Sequence, residues 1–283
     1  FPYYNEGLVG RITYDYNRKY MLEFNIGYTG SERFAPGKRF GTFPSAAVGY
    51  VVSEEPFFKN AVPWMNRLKF RYSDGYVGSD YANSRWIYTS SYFKDGGNYI
   101  REDLWPNVNA QWERAHKRDL GVEIGLFNNM ISLTVDAFDE FRDNMLITPK
   151  STTFLIGNNF KERNLGKVKK HGIEIEAEFR KSPNQNFEYY VRGIFAYNEN
   201  RVVFKDDPAP YPDYMKLAGK PLTELLNAEY GMEGLEINGV ELTGSGYYTT
   251  IDDIHNNVSP INLTKLYVGD YKFLDYNADG TVT

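Results

Sequence analysis

Residues 169–180 read Lys169-Lys170-His171-Gly172-Ile173-Glu174-Ile175-Glu176-Ala177-Glu178-Phe179-Arg180. Ile173, Ile175, Ala177 and Phe179 alternate with Gly172, Glu174, Glu176, Glu178 and Arg180, and a period of two puts the sets on opposite faces of a strand. The period recurs in both directions from here. Tyr20, Leu22, Phe24, Ile26 and Tyr28 oppose Met21, Glu23, Asn25 and Gly27. Leu68, Phe70 and Tyr72 oppose Lys69, Arg71 and Ser73, and Leu120, Val122, Ile124 and Leu126 oppose Asp119, Gly121, Glu123 and Gly125. Phe187, Tyr189, Val191, Phe195 and Tyr197 share a face that Glu188, Arg192 and Asn198 avoid. The alternation predicts an all-β chain with strands over 8–16, 19–28, 43–53, 66–74, 108–127, 130–142, 169–180 and 187–198.

Composition narrows the function classes. The 283 residues are 42% hydrophobic and include 24 Tyr, 19 Phe and 4 Trp, an aromatic content suited to pleated surfaces and too apolar for disorder. With 32 basic against 37 acidic residues and a net charge of -5, nucleic acid is not the expected partner. The absence of cysteine excludes disulfides, thiolate metal sites and thiol nucleophiles. Apolar runs are only a few residues long, too short for a membrane-spanning helix. Phe1-Pro2-Tyr3-Tyr4 lacks the basic start and apolar core of a signal peptide.

Two architectures produce the alternation. A soluble β-rich domain hides its apolar faces in a core, whereas a membrane barrel turns them to lipid and keeps a wet lumen. Turn lengths favour the barrel. Asn17-Arg18, the 54–65 stretch, Asn128-Asn129 and residues 182–185 make short or medium connections between alternate strand pairs, whereas 29–42, 75–107, 143–168 and everything after 199 are long. All short turns then fall at one end and all long loops at the other, the periplasmic and extracellular ends of an outer-membrane barrel. Tyr14, Tyr16, Tyr20, Phe127, Tyr28 and Tyr197 fall near strand ends, where aromatic rings favour membrane interfaces. Residues 1–198 are thus expected to supply transmembrane strands and their loops, and 199–283 a long extracellular loop region. An eight-stranded barrel would end soon after its last strand, so the chain reads as a piece of a longer one.

Several segments carry a resemblance. Gly10-Arg11-Ile12-Thr13-Tyr14-Asp15-Tyr16 with Lys19-Tyr20-Met21-Leu22-Glu23; Ser31-Glu32-Arg33-Phe34-Ala35-Pro36-Gly37; Phe43-Pro44-Ser45; Ser53-Glu54-Glu55-Pro56-Phe57-Phe58; Trp112-Glu113 before Gly121; Asn164-Leu165-Gly166 before Gly172-Ile173-Glu174-Ile175; and Asp275-Tyr276-Asn277-Ala278-Asp279-Gly280 follow one another as in one family. Together they resemble the SusC-like (SusC/RagA) branch of TonB-dependent outer-membrane transporters. Ala278 stands where that family often has glycine, and Gly49-Tyr50 where it often has glycine-tryptophan. The resemblance implies about eight strands of a 22-stranded transmembrane antiparallel β-barrel, with a plug domain and TonB box outside this chain. It also implies import of oligosaccharide, or in some members peptide, driven through TonB and assisted by a SusD-like surface lipoprotein.

Candidate site residues are few. Asp275, Asn277 and Asp279 space oxygen ligands like the first half of a calcium loop, with Gly280 permitting the sharp turn; the plain alternative is an Asx-turn that binds nothing. Trp86, Tyr88, Tyr92 and Trp105 fall in the loop expected over 75–107, where rings either stack on sugars or pack loops together; Tyr211, Tyr214, Tyr247 and Tyr248 share the ambiguity. Arg33, Lys38, Arg39, Arg85 and Arg101 are candidate anchors for the lipoprotein. Glu174, Glu176 and Glu178 lie at strand spacing suited to paired carboxylates, yet alternating charge is what any wet lumen shows. His116, His171 and His255 have no metal-ligand spacing, and no phosphate-cradling glycine loop is present. The expectation is a transporter without catalytic residues or an organic cofactor.

Overall fold

The computed structural model describes residues 3–94, 100–152, 154–184, 186–211, 213, 216–222, 235–237, 240–242, 246–256 and 266–272. It divides into two compact units, Phe1–Thr223 and Glu224–Thr283. The strands of the first are β1 (Asn5–Tyr16), β2 (Tyr20–Ser31), β3 (Phe40–Val51), β4 (Met65–Ser79), β5 (Ser91–Lys94), β6 (Ile100–Trp105), β7 (Glu113–Leu126), β8 (Ile131–Ile147), β9 (Asn159–Phe160), β10 (Arg163–Asn184) and β11 (Phe187–Phe204). Eight of them form one antiparallel sheet in the order β1-β2-β3-β4-β7-β8-β10-β11, while β5, β6 and β9 make a small sheet within the long connections. The second unit contains the hairpin β12 (Leu235–Ile237) and β13 (Val240–Leu242) and a short helix, Ile251–Asn256.

Register carries the alternation across the whole sheet. One row of opposed residues runs Tyr14, Leu22, Val48, Tyr72, Leu120, Ala137, Ile173, Tyr197. The next rung toward the short turns runs Tyr16, Tyr20, Tyr50, Phe70, Val122, Val135, Ile175, Phe195. Neither contains a charge. The rung on the other side starts Ile12, Phe24, Ala46 and continues Asp74, Arg118, Asp139, His171, Glu199. A row that begins apolar and ends ionic is what a tilted ladder crossing a slab of hydrocarbon produces. At a tilt of ~40° each interstrand step of ~4.8 Å raises the row by ~3 Å, or ~20 Å over the sheet. The first row accordingly starts and ends on tyrosine, the residue of the two interfaces. The hairpins step the same way: the β7–β8 turn lies about two rungs, ~13 Å along the strands, below the β1–β2 turn over about four interstrand steps.

Among the described residues, nothing in the unit covers this face. Ile12, Leu22, Phe24, Leu120 (54%) and Phe195 are all exposed, an arrangement that water penalises at ~25 cal/mol per Å² and hydrocarbon does not. The sheet is the wall of a transmembrane β-barrel, with every strand paired to its neighbours as a medium without water requires. Its opposite face is polar. Arg71 Nη2 donates to Asp136 Oδ2 at 2.6 Å across Gly121, where a Cβ would overlap both side chains. Arg67 and Lys69 reach Glu123 at 2.9 and 3.3 Å. Of the carboxylates at strand spacing, Glu176 pairs with Arg192 and Glu178 with Arg180; they are half of a charge-balanced wall.

The strands differ from expectation at their ends. The one expected over 108–127 begins at Glu113, because Asn107 is taken into loop hydrogen bonds and Trp112 is buried. The one expected over 169–180 runs from Arg163 to Asn184, so the connection to β11 contracts until Asn184 opposes Phe187. β11 continues past residue 198 to Phe204. Pairing of β3 with β4 stops at Ser45 opposite Gly75, next to Pro44, which has no N–H to donate. Asn17 and Arg18, and again Asn128 and Asn129, have positive φ, the paired left-handed residues of tight hairpin turns.

The third short connection is longer. Residues 52–64 hold a 3-10 turn, Val52–Glu54, and the helix α1, Pro56–Ala61. Glu55 fastens it to the neighbouring hairpin, accepting from Lys19 Nζ at 2.8 Å, Tyr20 OH at 3.0 Å and Tyr50 OH at 3.4 Å. The Lys19 ammonium foremost, and the tyrosine hydroxyls, hold the Glu55 carboxyl below its usual value against partial desolvation. A depressed carboxyl pKa stabilises the fold above the unfolded-state value, and that contribution is lost as pH falls through the folded value. The stability difference between the parent and Glu55→Gln is therefore expected to be full at neutral pH and to shrink on acidification below the ordinary carboxylate range. Unfolding midpoints measured across that range check it; a pH-independent difference contradicts the staple.

Candidate functional site

The long-loop end carries the only apolar core of the first unit among the described residues. Phe34 from the β2–β3 connection meets Ala82, Ile87, Ala110 and Trp112 from the β4–β7 connection, with Phe43 and Leu146 packed alongside. Trp112 is central. Its ring centroid lies 5.5 Å from those of both Phe34 and Phe43, and its indole N–H donates to Arg39 O at 2.8 Å. Phe43 leans into the gap left where β3 and β4 part, close to Gly41 and Gly78, at each of which a Cβ would overlap its ring.

Polar groups tie the connections together around this core. Ser31 Oγ donates to Asp80 Oδ2 at 2.6 Å and Arg85 Nε to Glu32 Oε1 at 2.9 Å. Asn164 Nδ2 donates to Gln111 O and Asn144 O, both at 2.7 Å. Lys161 is buried, and its ammonium donates to Trp86 O at 3.0 Å and Thr89 O at 2.7 Å. Burial pushes its pKa below the usual lysine value, with the Glu162 charge opposing.

The four aromatic candidates separate on this frame. Trp86 has Arg85 over its ring at 4.7 Å, and the same guanidinium lies 4.5 Å from the Tyr3 ring. Trp105 packs edge-on against Phe160 at 5.1 Å, and Tyr88 is half-buried. Tyr92 is 69% exposed and sits opposite Glu102 in the β5–β6 pair. Beside this small sheet lies a groove of about 410 Å³ lined by Arg101, Glu102, Asp103, Thr152, Gly157, Asn158 and Asn159. Asn158 Nδ2 donates to Glu102 O at 3.3 Å, joining its two walls. Carboxylates, amides and a guanidinium around a shallow groove, with a free ring at hand, suit a ligand rich in hydroxyls or amides. The sequence reading missed Glu102, Asp103, Asn158 and Asn159; the signal was a run of three charges inside a loop of otherwise mixed composition.

The other candidates are dispersed. His116, one rung beyond the ionic one, has Nε2 2.9 Å from Asp74 Oδ1, and His171, in the ionic rung, lies 4.0 Å from Glu199. Among the described residues no three His, Asp or Glu side chains are grouped to hold a metal. In the second unit Tyr248 is buried, Tyr247 packs against Tyr271 at 5.0 Å, and Lys272 Nζ reaches Asp253 Oδ1 at 2.6 Å. Tyr214, Asp275, Asn277 and Asp279 lie outside the described residues.

Comparison with known proteins adds four findings. The sequence model of the family described as "TonB dependent receptor-like, beta-barrel" matches residues 3–279. The TonB-dependent receptor SusC of Bacteroides thetaiotaomicron is 24% identical over 286 residues, covering 96% of this chain and 27% of that protein. The TonB-dependent receptor P39 of Formosa agariphila is 29% identical over 202 residues, 69% of this chain and 19% of that one. Among solved structures, the RagAB peptide importer in its closed-closed state superposes with a TM-score of 0.66 at 19% identity, covering 83% of this chain and 26% of that chain. The chain thus spans between about a fifth and just over a quarter of the length of these relatives.

Lys161→Met should leave the Trp86 and Thr89 carbonyls without their donor, lowering local stability by about 1–3 kcal/mol. Amide exchange at Thr89 and Asn107, which bond to Trp86 O and Ile87 O, is expected to accelerate while β7 and β8 stay protected. Unchanged exchange in the loop would remove Lys161 as its staple.

Proposed function

Because the chain belongs to the TonB dependent receptor-like β-barrel family, we propose that it forms part of the wall and extracellular cap of a TonB-dependent importer of oligosaccharides in a bacterial outer membrane. The observation that carries this reading is the tilted, lipid-facing ladder topped by a folded cap with a polar groove. The short turns then face the periplasm and the long loops the exterior. Energy comes through TonB acting on a plug domain, and the chain itself performs no catalysis. A SusD-like surface lipoprotein closes over the loop end, where Lys38 is a half-exposed contact. Peptide is the second reading, supported by the likeness to a structure described as a peptide importer; a groove of amide and carboxylate groups accepts either a glycan or a peptide backbone.

Tyr92 and the groove residues are the proposed substrate contacts, ahead of Trp86, Tyr88 and Trp105. A deletion across residues 81–100 would also remove Ala82 and Ile87 from the cap core, so point changes test the idea more cleanly. In the full-length transporter, Tyr92→Ala and the pair Arg101→Ala with Asp103→Ala should weaken uptake of the oligosaccharide on which growth depends by roughly tenfold each, the loss of ~1.4 kcal/mol of binding. Barrel assembly, read as heat-modifiable migration, should be unaffected. Uptake at the parent rate in both variants would move the contact elsewhere, and growth that depends on peptide instead would favour the second reading.

Asp275, Asn277 and Asp279 are proposed calcium ligands that staple a loop. Metal analysis of the purified full-length protein should find calcium that Asp275→Ala with Asp279→Ala removes. Equal calcium in parent and variant would leave an ordinary turn.

A further inference from the structure

The connection between β3 and β4 does something the other short connections do not. The β1–β2 and β7–β8 links are tight turns, and β10 returns to β11 with Asn184 opposite Phe187. Residues 52–64 instead build a 3-10 turn and α1. Glu55 holds that insertion to Tyr20 and Tyr50, whose rings stack at 5.1 Å and belong to the lipid-facing row. The insertion is therefore anchored under the outer face of the sheet, not across the mouth of the lumen.

Its exposed side is aromatic. Phe57 is 65% exposed and Trp64 49%, and Phe127, in the adjacent β7–β8 turn, is 51% exposed. Trp64 and Phe127 stack at 6.0 Å, and Phe127 N donates to Trp64 O at 2.8 Å. Phe127 holds φ at 52°, a left-handed conformation that costs a bulky residue free energy and persists only where the surroundings impose it. Directly above them on the ladder begins the apolar band: Met65 opposes Leu126, and Leu68 opposes Ile124. The aromatic cluster thus continues an established lipid-facing surface down to its edge. Lys59, paired with Glu54 at 2.6 Å, and Arg18 lie at the same edge. Rings at the boundary and cations just beyond it are the chemistry of a phospholipid interface.

We infer that residues 52–64 form a membrane foot: Phe57, Trp64 and Phe127 seat in the headgroup and upper acyl layer of the periplasmic leaflet, and the Glu55 staple fixes the foot to the barrel. Phospholipid is the partner. The foot sets how deep this side of the barrel rides, and it is distinct from the substrate groove at the opposite end.

The test uses the full-length transporter in vesicles of phosphatidylethanolamine and phosphatidylglycerol. This chain contains no cysteine, so Phe57→Cys and, separately, Trp64→Cys can carry a bimane fluorophore. Asn17→Cys serves as the aqueous reference and Ile124→Cys as the deep one. Both foot positions are expected to be quenched several-fold more by a lipid bearing a headgroup nitroxide than by aqueous iodide, with Ile124→Cys quenched best by a nitroxide deep in the acyl chain. Adding Glu55→Gln should raise iodide quenching at position 57. Two results overturn the inference: iodide quenching at 57 and 64 equal to that at 17, which puts the foot in water, or shielding from both quenchers, which packs it against protein.

Discussion

Everything in the first unit depends on one constraint: a tilted ladder of backbone hydrogen bonds must cross a layer that offers those groups no other partner. Eight strands in unbroken antiparallel order satisfy it. Because the strands tilt, a single hydrogen-bonded row does not stay at one depth. The row from Tyr14 to Tyr197 rises from one interface to the other, and the rung above it becomes ionic from Asp74 onward. Side-chain chemistry and backbone register therefore agree strand by strand. A soluble sheet, whose buried face needs apolar residues along every rung, has no reason to show that staircase.

Outside the hydrocarbon the physics reverses, and the loop end behaves like a small soluble domain. Phe34, Ile87 and Trp112 are buried there, while the strands beneath have no core of their own. The barrel wall offers a rigid rim, and where Pro44 ends the β3–β4 pairing the rim opens enough for Phe43 to join the loop core. Lys161 and Asn164 then use their donors on loop carbonyls. The polar groove beside β5, β6 and β9 takes its walls from two connections, which Asn158 joins by donating to Glu102 O.

Much of the wall was legible in the sequence because period-two alternation is a local signal. Ile173 to Phe179 and Leu120 to Leu126 give their facing directly, and Asn17-Arg18 and Asn128-Asn129 give their turns. The ends of strands were less legible. Residues 108–112 carry strand-like residues, yet Trp112 is captured by Phe34 and Phe43, which lie far away in sequence. β6 and β9 pair across more than fifty residues, a contact no local pattern encodes. The sugar-stacking candidates rest on residue type and on their place in the 75–107 loop, and neither shows that Arg85 covers Trp86 or that Phe160 packs on Trp105. α1 was hidden for another reason: Pro56-Phe57-Phe58 looks like a short apolar run, and only the reach of Glu55 to two tyrosines shows where it sits.

The central claim is the rise of one ladder row through the membrane. Nitroxides placed one at a time at Tyr14, Leu22, Val48, Tyr72, Leu120, Ala137, Ile173 and Tyr197 of the full-length protein in vesicles would report depth from the ratio of collisions with oxygen and with an aqueous nickel chelate. The account predicts lipid exposure at all eight positions, and a depth that changes in one direction along the row in steps of about 3 Å from strand to strand. A single depth along the whole row, or preferential access to the nickel chelate at its middle members, would contradict it.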